Sequence, residues 1–379
     1  MSARRLSFLT LALLALALAP PAHAASPNCA VAGGTLVQFP AGSPVWELCL
    51  LTPIQSSGTN GSGTEIREAF YNGHKVLKRA HVPILNVKYT GGAPCFCYRD
   101  WFDQETKFEV KDQNGTVVNN PSTGQIFDNA SQVRTVCDAG GSGGDIPSST
   151  GFKGVAIERF VDHIVLTSQT QAGWYRYETK WTFYADGRIL PQTGYAALSD
   201  SCVQNDHHHN SYFRLDFDVD DPGNDAAGEA GVNQQLTESG TRRPAEAYGA
   251  PPLKVYDKLS NRGYHVTPHG RVGASYDPFG GPSAPPWNNS FTIGDAWLLR
   301  YKAGTGTPTT GEIDDGQSCC GSSACPIGNF FLGWSSRNES IDGQDVVVWY
   351  HEGALHRGGQ LDACARSGPT LQPFGDWAP

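Results

Sequence analysis

An all-β fold in one domain is what this sequence predicts, and three observations predict it. The 44 glycines and 25 prolines, against a single methionine in 379 residues, disfavour a helical bundle, because both residue types interrupt helices and populate turns. Apolar and polar residues alternate over Val155 to Leu166, Tyr175 to Tyr184, Tyr212 to Val219 and Ala296 to Tyr301, the period of strands with one face buried. Asn72-Gly73, Asn114-Gly115 and Asp186-Gly187 are dipeptides of tight hairpins, where positive φ is needed. Helical periodicity is hard to find after the N-terminal segment. No internal repeat or linker divides the chain. The glycine-rich stretch 138–150 and the segment 221–252 read as long loops or arms.

Residues 1–24 read as a signal peptide. Arg4 and Arg5 precede a Leu/Ala-rich run, and Ala22-His23-Ala24 offers small residues for cleavage. The expected product is secreted or periplasmic, with its folded domain at 25–379. No later run reaches the ~18 apolar residues of a membrane span. Without the two arginines, 26 basic residues face 37 acidic ones, a net charge near −11. An acidic chain with no basic run is a poor nucleic-acid binder, since phosphate contacts need clustered Lys and Arg. Ten cysteines in an exported chain point to structural disulfides. Cys95-Phe96-Cys97 and Cys319-Cys320 lack the roughly two-to-four-residue spacing of zinc pairs, and the pairing is not readable from spacing. Asn60, Asn114, Asn129, Asn288 and Asn338 stand in glycosylation sequons.

The strongest local signal is Asp206-His207-His208-His209, running into Phe213-Arg214-Leu215-Asp216-Phe217-Asp218-Val219-Asp220. On a strand His207 and His209 share a face, and parity puts Phe213, Leu215, Phe217 and Val219 on that face too. The apolar side is the buried one, so both imidazoles point inward as a chelating pair suited to Cu(II) or Zn(II). Taken alone, the triplet fits a histidine-rich surface loop equally well. A third ligand is offered by His356, just beyond the apolar run Val346-Val347-Val348-Trp349-Tyr350. Asp216, Asp218 and Asp220 fall on the opposite face, expected to be solvated, or relieved by a hard ion such as Ca(II).

These stretches together resemble the copper amine oxidase family. Its His-x-His followed by an Arg-Leu-Asp strand is matched by His207-His208-His209 and Arg214-Leu215-Asp216. Its third copper histidine follows a segment resembling Glu339-Ser340-Ile341-Asp342-Gly343-Gln344-Asp345-Val346-Val347-Val348-Trp349, seven residues beyond the tryptophan, where His356 stands. The resemblance thus implies His207, His209 and His356 as copper ligands. The family's cofactor, topaquinone, is made from a protein tyrosine by copper and O₂. Its motif is met by Gln171-Ala172-Gly173-Trp174-Tyr175-Arg176-Tyr177, then Trp181-Thr182-Phe183 and Asp186-Gly187, which implies Tyr175 as the precursor. Gln171, Trp174 and Arg176 replace the family's threonine, asparagine and acid. That bears on ring mobility, substrate access and conversion itself. The resemblance further implies Asp103 in Trp101-Phe102-Asp103-Gln104 as catalytic base and Tyr89, fourteen residues earlier, as the phenol bonding the quinone oxygen. Asp216, Asp218 and Asp345, with the carbonyls of Phe217 and Val346, match the family's peripheral calcium site.

The resemblance spans roughly residues 45 to 360, without the smaller domains that usually precede the catalytic one. It implies a large antiparallel β-sandwich. The implied activity is oxidative deamination of a primary amine by O₂ to aldehyde, ammonia and hydrogen peroxide. The implied assembly is a homodimer, with the hairpin arm between Tyr175 and His207 shortened. Two rival expectations stand beside it. One is a secreted copper-binding protein of the same fold with unmodified Tyr175. The other is a zinc hydrolase using the same three histidines and Asp103.

Overall fold

A computed structural model describes residues 26–58, 60–89, 95, 97–138, 150–198, 201–231, 234–241, 252–268, 296–302, 335–358 and 364–379. Among them nearly all the regular secondary structure is strand, gathered into two large sheets. The signal-peptide segment, the core of the glycine-rich stretch, Asn288, Cys319 and Cys320 lie outside the described residues.

The first sheet runs in the order Thr35–Phe39, Trp46–Leu51, Glu65–Tyr71, His74–Tyr89, His207–Phe217, Val346–His356, Ala296–Arg300 and Ser239–Thr241. Cys97–Asp100 pairs beside the far end of His74–Tyr89. In the second sheet, Gln234–Gln235, Asp225–Glu229, Leu253–Asp257, Gly263–Pro268 and Pro369–Phe374 come first. Ile189–Ala197, Tyr175–Tyr184, His163–Ala172, Val155–Arg159 and Ile126–Ala130 complete it. Its last pair is parallel, and every other named pairing is antiparallel. The sheets face each other across one core, to which Leu48, Ile66, Val82, Phe213 and Leu215 come from the first and Leu166, Trp181, Phe183 and Ile189 from the second.

The hairpin dipeptides do what their chemistry allows. Asn72 and Gly73 both have positive φ, at 49° and 78°, and join Glu65–Tyr71 to His74–Tyr89 as a primed turn that follows the strand twist. Asp186-Gly187 closes Tyr175–Tyr184 onto Ile189–Ala197. A Cβ on Gly187 would lie 2.7 Å from the Tyr71 ring, so only glycine fits between the sheets there.

Three expectations need correction. Val155 to Leu166 is two strands, because the chain reverses at residues 160–162, where the Phe160 N–H bonds the His163 carbonyl. Phe160 and Val161 keep the alternation going but are exposed. The segment 221–252 is not simply an arm, since Asp225–Glu229, Gln234–Gln235 and Ser239–Thr241 pair within both sheets. The aspartate face of His207–Phe217 is not solvated, since Asn210, Tyr212, Arg214, Asp216 and Asp218 are buried; only Asp220, beyond the strand, is exposed as expected. A strand between two neighbours at the centre of a covered sheet has no wet side.

Three disulfides, Cys29–Cys49, Cys95–Cys202 and Cys137–Cys364, are consistent with a secreted protein. No described helix is long and apolar enough to cross a membrane.

Candidate active site

The site is assembled by strand register. His207 pairs with His356 on one side and with Tyr89 on the other, so three residues far apart in sequence form one row across three strands. Two β-bulges interrupt the pairing of His207–Phe217 with His74–Tyr89, and in both the extra residue lies on the latter strand. The histidine strand therefore keeps its parity from His207 to Phe217. His209 points the same way as His207, and ligand atoms of His207, His209 and His356 all lie within 4.8 Å of one another.

Tyr175 meets them from the opposing sheet. Its phenol oxygen is 2.5 Å from His207 Nε2 and 2.7 Å from His356 Nδ1, and its ring centroid is 4.6 Å from that of His209. His207 Nδ1 lies 2.7 Å from the Asn205 carbonyl, which can only accept. That contact puts the proton on Nδ1 and leaves Nε2 as the lone-pair atom facing Tyr175. Tyr195, from the strand next to Tyr175, stacks on His209 at 3.7 Å. This aromatic support had no signal in the sequence.

Burial sets the charge of the cluster. It pushes His207 down to about 3 and His209 well below the usual imidazole range, so both are neutral. Neutral imidazole is the form that binds a metal. Neither ring nitrogen of His209 has a hydrogen-bond partner among the described residues, a costly arrangement that a metal would relieve. Burial, then the neighbouring Tyr89, Tyr195 and Asp100, hold the Tyr175 phenol well above the ordinary tyrosine range.

Beside Tyr175 lies a cavity of about 170 Å³ lined by Tyr89, Tyr98, Asp100, Trp101, Trp174 and the 172–173 backbone turn. Tyr89 stacks on His207 at 4.5 Å, and the Trp174 indole N–H donates to the Tyr89 hydroxyl at 2.8 Å. Asp100 accepts from the Tyr177 hydroxyl, and burial pushes its carboxyl up to about 7. Asp103 is not among the lining residues. It packs against Gly61, where an added Cβ would approach Asp103 Cβ to 2.6 Å, and its Oδ1 is buried with no partner among the described residues. Sequence reasoning passed over Asp100. The available signal was Tyr98-Arg99-Asp100, an alternation that places an aromatic and an acid on one face of a short strand.

At the other end of the histidine strand, ligand oxygens of Asp216, Asp218 and Asp345 lie within 4.8 Å of one another. Phe217 and Val346 are cross-strand partners there. Lys75 reaches Asp218 at 2.8 Å and Lys78 reaches Asp345 at 3.5 Å. Oδ1 of each of the three aspartates remains without a partner among the described residues. Burial, then Asp216 and Asp218, push Asp345 up to about 7. Asp225, buried beside them, is pushed up to about 10 by burial and by Asp218, Asp345 and Asp257.

No protein-family model matches this sequence, and no curated protein does. Solved structures do match its fold. The lysyl oxidase of Pichia pastoris superimposes with a TM-score of 0.52 at 14% identity, over 87% of this chain and 51% of that one. The copper-containing benzylamine oxidase of Hansenula polymorpha gives 0.51 at 14% identity, over 90% of this chain and 62% of that one. The chain thus spans between half and two thirds of these neighbours, and the likeness is one of fold.

Proposed function

We propose that this chain is a copper- and topaquinone-dependent oxidase of primary amines, yielding aldehyde, ammonia and hydrogen peroxide. The observation that carries this reading is the convergence of three buried imidazoles on one another beside the phenol of Tyr175. Three nitrogen donors and a phenol oxygen suit copper, and the orphaned nitrogens of His209 fit a bound ion. His207, His209 and His356 would hold it. Copper with O₂ supplies the oxidation that converts Tyr175, and the resulting quinone supplies the carbonyl and the two-electron sink for the amine.

The chain's own residues do the rest. The Asn205 carbonyl fixes the His207 tautomer, and Tyr195 fixes the plane of His209. Tyr89, held through its hydroxyl by Trp174, stands where it can orient the modified ring. Two carboxylates compete for the α-proton. Asp103 holds the position implied by the family resemblance. Asp100 lines the cavity beside Tyr175, and a carboxyl near 7 is balanced between taking and releasing a proton at neutral pH. Reach decides between bases before affinity does, so we assign the proton to Asp100 and keep Asp103 as its rival. The aspartate cluster would hold Ca(II) through Asp216, Asp218, Asp345 and the carbonyls of Phe217 and Val346. The domain would be 25–379, exported, and paired as a homodimer.

A second reading, a copper-binding protein with Tyr175 left as a phenol, draws on the hydrogen bonds between that phenol and two of the three histidines and on Gln171, Trp174 and Arg176. A zinc hydrolase fits less well, because the phenol takes the position such an enzyme leaves for water. Copper-loaded, aerobically matured protein should absorb in the visible and form a phenylhydrazine adduct on the peptide carrying Tyr175, with the mass gain of two oxygens less two hydrogens. Copper bound with neither signal would leave the second reading standing instead.

A further inference from the structure

The cavity beside Tyr175 also speaks to which amine fits, an inference that rests on the oxidase reading. A dry cavity of about 150 Å³ holds one benzene ring. The cavity here is about 170 Å³, so one ring on a short arm fills it. Its wall is aromatic, and among the described lining residues Asp100 is the one acid. Tyr98 and Trp174 meet edge to face at 5.2 Å, Tyr89 and Tyr98 at 6.0 Å, and Tyr89 and Trp174 at 6.3 Å. Rings packed on one another in this way form a continuous wall rather than an open box around a cation. Trp174 is anchored in that wall by its bond to Tyr89. It stands next to exposed Gly173, where an added Cβ would meet nothing within 4 Å. Among the lining residues Gly173 is the exposed one, which puts solvent access on its side of the cavity.

One carboxylate satisfies one ammonium. A second ammonium inside would have only ring faces as partners, too little to offset the desolvation of a buried unpaired charge. A flexible alkyl tail would surrender more rotamer freedom than a planar ring while filling the same space. We propose that this cavity selects a primary monoamine bearing a single planar ring on a short arm, its ammonium at Asp100 and its ring against Tyr98 and Trp174. Trp174 is the residue that sets the choice.

The test uses the full chain produced without copper, in which Tyr175 stays a phenol, so binding is read apart from oxidation. Calorimetric titration in mildly alkaline buffer compares 2-phenylethylamine, hexylamine and 1,5-diaminopentane. The ring amine should bind about 10-fold more tightly than either of the others, the scale of one good aromatic contact. Asp100→Asn should weaken it by a similar factor. Trp174→Ala should bring the three within about 3-fold, whereas Trp174→Phe, which keeps the wall, should retain the preference. The proposal is overturned if the diamine binds as well as the ring amine, if no amine saturates, or if Trp174→Ala leaves the ratio intact. The phenylhydrazine adduct reports separately on copper-loaded protein. An adduct without ring preference removes this inference alone. Ring preference without an adduct removes the oxidase reading and leaves the ligand class of the cavity in place.

Discussion

The strand His207–Phe217 carries two clusters that burial treats in opposite ways. At one end the imidazoles are pushed towards their neutral form, which is also the metal-binding form. At the other, Asp345 and its neighbour Asp225 are pushed towards protonation, whereas a hard cation needs them ionised. The difference teaches that one burial term prepares nitrogen ligands and penalises oxygen ligands. The histidine end can stand empty without repulsion between charges, though the ring nitrogens of His209 then lack partners among the described residues. The aspartate end leans on Lys75 and Lys78 and gains most from a bound ion.

The sharpest way to break this comparison is to remove a ligand at the histidine end. His209→Ala or His356→Ala should abolish stoichiometric copper binding, and with it the visible colour, measured by metal analysis and absorbance. Retention of full copper would sink the site. Tyr175→Phe should next separate metal from cofactor, keeping copper but losing the phenylhydrazine adduct in the peptide map. Asp100→Asn should lower kcat by roughly 10²–10⁴, the usual worth of a positioned proton acceptor, with Asp103→Asn far milder; the reverse ranking returns the base to Asp103. Because the base acts ionised, wild-type activity should rise as pH increases through about 7, and Asp100→Asn should flatten that limb.

The smallest effect tests the aspartate end itself. Asp345 has a folded pKa of about 7, above its ordinary 3.8, so between those values the native state binds more protons than the unfolded one. Its contribution is fully present below the unfolded pKa and is lost as pH rises towards 7. The histidines contribute with the opposite sign. His207, lowered from 6.5 to about 3, costs stability as pH falls through that window. Calcium should therefore raise Tm more at pH 7 than at pH 5, by a few degrees for a chain this size. A calcium effect independent of pH would mean that the aspartates are not its ligands.

Much of the histidine end is legible in the sequence. A strand's period of two is local, so residue order by itself puts His207, His209, Phe213, Leu215 and Phe217 on one face. The bulges that would have spoiled the parity fall on the neighbouring strand. The turn dipeptides are equally local. Burial of the Asp216 face is not legible, because alternation reports one buried face and is silent about what covers the other. The reversal at 160–162 is hidden for a related reason: exposed Phe160 and Val161 mimic core positions.

What the sequence determined by itself was therefore the all-β class, the histidine pair and the positions of the tight turns, since each depends on residues within a few positions of one another. The tertiary structure alone decided that Tyr89, His207 and His356 share a row, that Tyr195 backs His209, and that Asp100 rather than Asp103 lines the cavity. Those facts depend on strand register and sheet stacking. The free energy that selects them is summed over the whole core, and no single segment carries it.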